Sequence, residues 1–328
     1  MSDTDLTDPP LAPQGPIPIT VVTGFLGAGK TSLINRLVTA RAGAERIGVV
    51  VNEAGEIGLD GELLGDSTGD VVEIADGCVC CTSSGELLDA IVRLNQAAGR
   101  LDRIIVETSG LADPGPVIDA LASIAHVLRL DTMVTVVDAV HALGQLDRHQ
   151  SPEAHRQVQI ATHVVVSKLD LADGVDDLLA RITALNPDAH VILAERESLD
   201  VGLLLDRFAF GAEDDADHDH DHDHREHAHL DVEIFSFTLD KALDAERFDL
   251  WLGGLVILKA PDLFRVKAIL SLAGESRRQI VHGVQSYVES APGRDWEPDE
   301  PRTSRIVIIG KDLESAQWRA ELERCVAA

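Results

Sequence analysis

Positive charge is scarce in this 328-residue chain: lysine plus arginine number 28 against 56 aspartates and glutamates, a formal net charge of −28. A field of that sign repels DNA, RNA and anionic membranes, so neither nucleic acid nor a membrane is an expected partner, and cations are attracted. Long apolar runs are missing too, with nothing near the roughly 18–20 uninterrupted residues of a membrane helix. The opening MSDTDLTDPPLAPQ lacks the basic and apolar regions of a signal peptide, which predicts a cytoplasmic protein. There are only four cysteines, three of them within one tetrapeptide, and this pattern argues against a disulfide framework. What the chain does have is 45% hydrophobic residues, enough for a sizeable core and against global disorder.

Composition divides the chain into four parts. Residues 1–16 are acidic and proline-rich and read as a disordered tail. Over residues 17–210, short β-branched runs (IPITVVTG, RIGVVVN, LDRIIVET, DTMVTVVDA, THVVVSK, AHVILAE) alternate with helix-like stretches such as TSLINRLVTAR and GVDDLLARITAL. That alternation predicts an α/β domain with a mostly parallel sheet covered on both faces. Residues 211–229 are a His/Asp-rich linker, with six histidines and eight acids between 213 and 229. It reads either as a weak collector of divalent ions or as a solubilising segment. Residues 230–328 predict a smaller α+β domain, in which DLWLGGLVIL is assigned to core rather than docking surface on composition.

Residues 24–31, GFLGAGKT, fit G-x-x-x-x-G-K-[ST] between a strand and a helix. Gly24, Gly27 and Gly29 let backbone amides turn toward phosphate oxygens, and the helix start adds its positive dipole end. Lys30 is assigned to the β- and γ-phosphates and Thr31 to Mg²⁺, with Ala28 and Ser32 completing the nucleotide-contacting stretch. Glu107, in IIVETSGLADP, occupies a Walker-B place and can order the Mg²⁺ shell, which makes Lys30 and Glu107 the candidate catalytic residues. Gly110 can offer its amide to the γ-phosphate. In SKLD, Asp170 can accept from guanine N1–H and the N2 amino group, donors that adenine lacks, while Lys168 lies along the base.

Residues 77–81 are GCVCC. Cys78, Cys80 and Cys81 can place up to three sulfurs on a soft or borderline cation. The competing readings are a redox pair, which usually wants C-x-x-C, and packed thiols. Glu53, Glu56 and Asp60 follow a strand in VNEAGEIGLD. They can serve Mg²⁺, with Glu53 the candidate, or the second metal, or simply be solvated. Cys325, on the last helix-like segment, reads as a packed residue.

Together, GFLGAGKTS, VNEAGEIGLDGELL, GCVCC, ETSGLADP, SKLD, the histidine-rich insert and RVKAILSL…HGVQSY…W resemble the CobW-type GTPases, relatives of the urease and hydrogenase nickel-insertion GTPases. The resemblance covers nearly everything from residue 17 onward. It implies a GTP-dependent metallochaperone whose cofactors are GTP and Mg²⁺. Its cargo would be Zn²⁺ or Co²⁺ on Cys78, Cys80 and Cys81, released to a metal-requiring client protein. A nucleotide-dependent homodimer and client docking by the C-terminal domain are further expectations. Two positions depart from the family pattern: Ser167 replaces an asparagine, and Ala54 a phenylalanine. A nucleotide-coupled metal sensor is the alternative function. A small-molecule kinase is disfavoured by SKLD and GCVCC.

Overall fold

The computed structural model describes residues 15–51, 71–74, 84–98, 101–110, 112–147, 151–194, 199–206 and 233–327. Seven strands form one parallel sheet: β1 (Ile17–Gly24), β2 (Ile47–Val51), β3 (Val71–Ile74), β4 (Arg103–Glu107), β5 (Leu128–Asp138), β6 (His163–Ser167) and β7 (His190–Leu193). Their order is β3-β2-β4-β1-β5-β6-β7. Burial on both faces explains the near-continuous apolar character of β1, β2, β4, β5 and β6, whereas the edge strand β7 is partly exposed. On β4, Ile104 and Val106 join the cluster on one face with Ile19 and Val21. Ile105 joins the opposite cluster with Val22 and Val136. Helices α1 (Lys30–Arg41), α2 (Ser84–Ala98), α3 (Gly115–Ser123), α4 (Ala142–Leu146), α5 (Pro152–Gln159) and α6 (Asp176–Leu185) accompany this sheet.

A second sheet has the order β11-β10-β9-β12-β8. Its strands are β8 (Glu233–Leu239), β9 (Leu263–Ser271), β10 (Arg277–Val284), β11 (Tyr287–Asp295) and β12 (Ser304–Gly310), paired antiparallel. Helices α7 (Ala245–Lys259) and α8 (Ser315–Leu322) pack on it through Phe248, Trp251, Leu252, Leu255, Trp318 and Leu322. Cys325 is buried in the same core. The core assignment of DLWLGGLVIL holds for only part of it, because Leu250, Ile257 and Leu258 on the other side of α7 are exposed. A helix pressed on one sheet face has room to bury only one stripe. Among the described residues, no helix is long and apolar enough to cross a membrane.

The two sheets meet around the β10–β11 hairpin. Val284 and Tyr287 belong to the core of the first sheet, and the Leu130 N–H donates to Tyr287 Oη at 3.0 Å. On the far side, Asp188 pairs with Arg265 Nε at 2.6 Å and Lys267 Nζ at 2.8 Å. Burial alone would raise the pKa of Asp188, but these two cations outweigh it and hold the carboxyl below its usual range.

Candidate nucleotide site

In a parallel sheet, the carboxyl ends of all strands lie on one edge, where ligands of open α/β folds bind. Here β1 sits between β4 and β5, and β6 lies beside β5. The ends of these four strands therefore bring Gly24, Glu107, Asp138 and Ser167 to the same edge. Gly24 has φ 133°, and a Cβ there would come within 2.1 Å of the Val136 carbonyl oxygen on β5. Only glycine lets the loop leave the sheet at this angle. Gly27 and Gly29 also have positive φ, and Ala28 is fully buried beneath the loop. Helix α1 begins at Lys30, with no side-chain cap and no acid in its first turn. The positive end of the helix dipole there meets no neutralising acid within its own first turn, a setting that favours an anion.

Lys30 is largely buried, and its Nζ donates to the carbonyls of Gly24 at 3.2 Å and Phe25 at 3.3 Å. Thr31 Oγ1 stands 3.4 Å from both oxygens of the buried Glu107. A hydroxyl and a carboxylate side by side are hard oxygen donors of the kind Mg²⁺ prefers. Ser32 faces solvent. Gly110 approaches the loop closely: a Cβ on it would meet the Leu26 backbone N at 2.8 Å and Lys30 Nζ at 3.0 Å. Any side chain at residue 110 would push this backbone off the glycine-rich loop.

The residues that the sequence assigns to the base, Lys168 and Asp170, follow the end of β6, beside the end of β5. Lys168 adopts a left-handed φ of 57°, and its ammonium pairs with Asp138. The buried Asp138 also accepts the N–H of Val140 at 2.7 Å and stands 3.2 Å from His141 Nδ1. Its burial favours a raised pKa, but the hydrogen bonds from Lys168, Val140 and His141 prevail and lower it. Asp138 therefore keeps the negative charge that anchors Lys168. Asp170 is exposed on the short turn Leu169–Leu171 that follows.

Ser167 donates toward the Ala28 carbonyl, with Oγ at 2.7 Å, and lies 3.1 Å from Val137 O. A short hydroxyl thus ties the end of β6 directly to the glycine-rich loop. The sequence reading missed Asp138, although a buried acid closing an apolar strand was a usable signal. Glu53, Glu56, Asp60, Cys78, Cys80, Cys81 and the histidine-rich segment lie outside the described residues.

A parallel sheet whose first strand runs through a glycine-rich loop into a helix, with an acid ending the adjacent strand, defines a P-loop nucleotide-binding protein. The chain belongs to the CobW/HypB/UreG family of P-loop GTPases. Residues 18–193 match the CobW/HypB/UreG nucleotide-binding domain, and residues 232–326 match the cobalamin synthesis protein cobW C-terminal domain. It is 32% identical over 315 residues to the zinc chaperone YjiA of Escherichia coli K12, spanning 94% of this chain and 98% of that one. It is 34% identical over 358 aligned positions to the zinc chaperone CobW of Pseudomonas aeruginosa, spanning 97% and 94%. The crystal structure of Zn(II)-bound YjiA GTPase from E. coli aligns with a TM-score of 0.69 at 29% identity, covering 96% of this chain and 100% of that one.

Proposed function

We propose that this protein is a GTP-dependent metallochaperone that holds a divalent transition metal at Cys78, Cys80 and Cys81 and delivers it to a client protein when GTP is hydrolysed. Zn²⁺ is the first candidate cargo, in keeping with the two zinc chaperones it resembles, and Co²⁺ the next. The observation that carries this reading is topological. β2 ends at Val51, two residues before Glu53, and β3 ends at Ile74, four residues before Cys78. Both strands run parallel to β4, so both chain segments leave the sheet on the edge that carries Lys30, Thr31, Glu107 and Gly110.

In this reading Gly24, Gly27, Ala28, Gly29, Lys30, Thr31 and Ser32 hold the phosphates, and Lys168 and Asp170 select guanine. Thr31, Glu107 and Glu53 would hold Mg²⁺, which neutralises charge on the β- and γ-phosphates. The Gly110 amide distinguishes GTP from GDP by meeting the γ-phosphate. Thiolates bind zinc or cobalt tightly and release it slowly. A nucleotide-ordered segment beside them supplies the difference in affinity that release requires.

The test is Cys80→Ser in the full chain. Metal affinity is expected to fall by at least about tenfold, because a soft thiolate is exchanged for a hard, weakly bound hydroxyl. GTP affinity measured without metal should remain within about twofold, since no phosphate or base contact is touched. Metal binding equal to wild type would remove the cysteines from the site. Steady hydrolysis with no metal passed to a purified apo-client would instead favour a sensor.

A further inference from the structure

Helix α5 carries two adjacent side chains, Arg156 and Gln157, that reach different neighbours. Gln157 is fully buried, and its Nε2 donates to the carbonyls of Ala112 at 3.0 Å and Gly110 at 3.4 Å. One amide thus holds both the Gly110 and the Ala112 carbonyls, beside the phosphate loop. Arg156 reaches the second sheet while its Nε stays 4.0 Å from Asp113 Oδ1 in the first domain. Its guanidinium lies 5.0 Å from the Phe264 ring centroid and donates to the Pro261 carbonyl. Its Nε and Nη2 also donate to Gln285 Oε1 at 2.9 and 2.6 Å, with that amide oriented by the network itself. Phe264 lies near the start of β9, and Gln285 sits in the β10–β11 turn with a left-handed φ of 52°. The same hairpin is fastened to the first domain by Ser286 on Asp119 of α3 and by the Leu130 N–H of β5 on Tyr287.

We propose that Gln157 is a positioning residue for the Gly110 segment, and that Arg156 transmits the state of that segment to the C-terminal sheet at residues 261–264 and 284–286. The inference rests on the nucleotide reading above and extends it to the second domain. Breaking a buried hydrogen bond exposes an unsatisfied carbonyl to an apolar interior, a costly outcome. When Gly110 moves to meet a γ-phosphate, Gln157 is therefore carried with it. Residues 156 and 157 share one rigid helical turn, so Arg156 moves too, and its contacts pull on the β9 start and the hairpin turn. Packed elements of this kind settle into alternative arrangements rather than deforming continuously.

The test uses the full chain with Mg²⁺ and either GDP or a non-hydrolysable GTP analogue. Gln157→Met keeps the volume and removes the donors. It should weaken analogue binding about tenfold while GDP binding stays within about twofold, because only the γ-phosphate meets Gly110. Arg156→Ala should leave both affinities within about twofold. In wild type, hydrogen exchange of segments 261–268 and 280–288 should differ between analogue and GDP, and Arg156→Ala should erase that difference. Equal weakening of both nucleotides in Gln157→Met, or an intact exchange difference in Arg156→Ala, would overturn the proposal. A wild-type chain that binds both nucleotides with identical exchange would overturn the relay alone. One that binds neither would overturn the nucleotide reading beneath it.

Discussion

Lys30→Ala is expected to lower GTP turnover by about 10²–10³-fold, the usual consequence of removing one preorganised charge donor from a reacting centre. The side chain reaches from the first residue of α1 back across its own loop, where the Gly24 and Phe25 carbonyls hold the ammonium at 3.2 and 3.3 Å. Gly110 approaches the same ammonium from the β4 side. The positive charge is thus fixed at the centre of the phosphate loop, and little reorganisation is needed when phosphate charge develops. Replacement should change folding stability far less than turnover, since the neighbouring Ile34 and Leu37 that bury α1 are untouched. Phosphate release at saturating GTP, measured beside thermal unfolding, separates the two effects. Turnover close to wild type with an intact fold would take Lys30 out of the chemistry.

Arg103→Ala is expected to be the most destabilising single change in the first domain, costing about 3–5 kcal/mol, because it strips the cation from a buried carboxylate. Arg103 at the start of β4 and Asp131 on β5 are both inaccessible to solvent, with Nη1 2.6 Å from Oδ2. The β1–β5 register shifts between Ile19 and Thr20, so Asp131 is the residue passed over in the ladder. Such a bulge re-aims a side chain. Glu45 at 3.0 Å and Asp206 complete the guanidinium's partners, and Asp206 N–H also donates to Asp131 at 2.9 Å. Burial works against the charged guanidinium, but these acids prevail and raise the pKa of Arg103. The paired change Arg103→Met with Asp131→Leu should recover most of the loss, since an apolar pair carries no desolvation cost. Urea unfolding of the single and double variants checks both statements. A loss below about 1 kcal/mol for Arg103→Ala would show that the cluster contributes no more than a surface ion pair.

Much of the architecture was legible because it rests on local patterns. IPITVVTG is β1 in full, and the β-branched runs around Val49, Ile105, Val136 and Val165 are strands of one sheet. The phosphate loop was legible because its glycines act locally, as Gly24 shows. Contacts set by sheet order were not. Asp138 and Lys168 are thirty residues apart, and only the adjacency of β5 and β6 unites them. Ser167 meets Ala28 for the same reason. Helix α5 (PEAHRQVQ) buries the polar Gln157 on the same face as Ala154 and Val158, and a polar side chain gives no sequence signal of facing inward. RQIVHGVQSYVE runs through most of β10 and into β11 with no sequence mark of the turn between them. Its turn at Gln285 and Ser286 carries neither glycine nor asparagine, the usual markers of a two-residue turn. In α7, composition could not tell Trp251 and Leu255, which are buried, from Leu250 and Ile257, which are exposed.

The central claim is that nucleotide state sets metal affinity. It is tested most directly by titrating Co²⁺ and Zn²⁺ into the reduced full-length protein with Mg²⁺ and either a non-hydrolysable GTP analogue or GDP. Thiolate-to-Co²⁺ absorption reports the site, and competition with a chelator gives the affinities. The account predicts binding at least about tenfold tighter with the analogue, a coupling of about 1.4 kcal/mol. By reciprocity, metal should tighten the analogue by the same factor. Equal metal affinity in the two nucleotide states would contradict it, because hydrolysis would then have no means of releasing the ion.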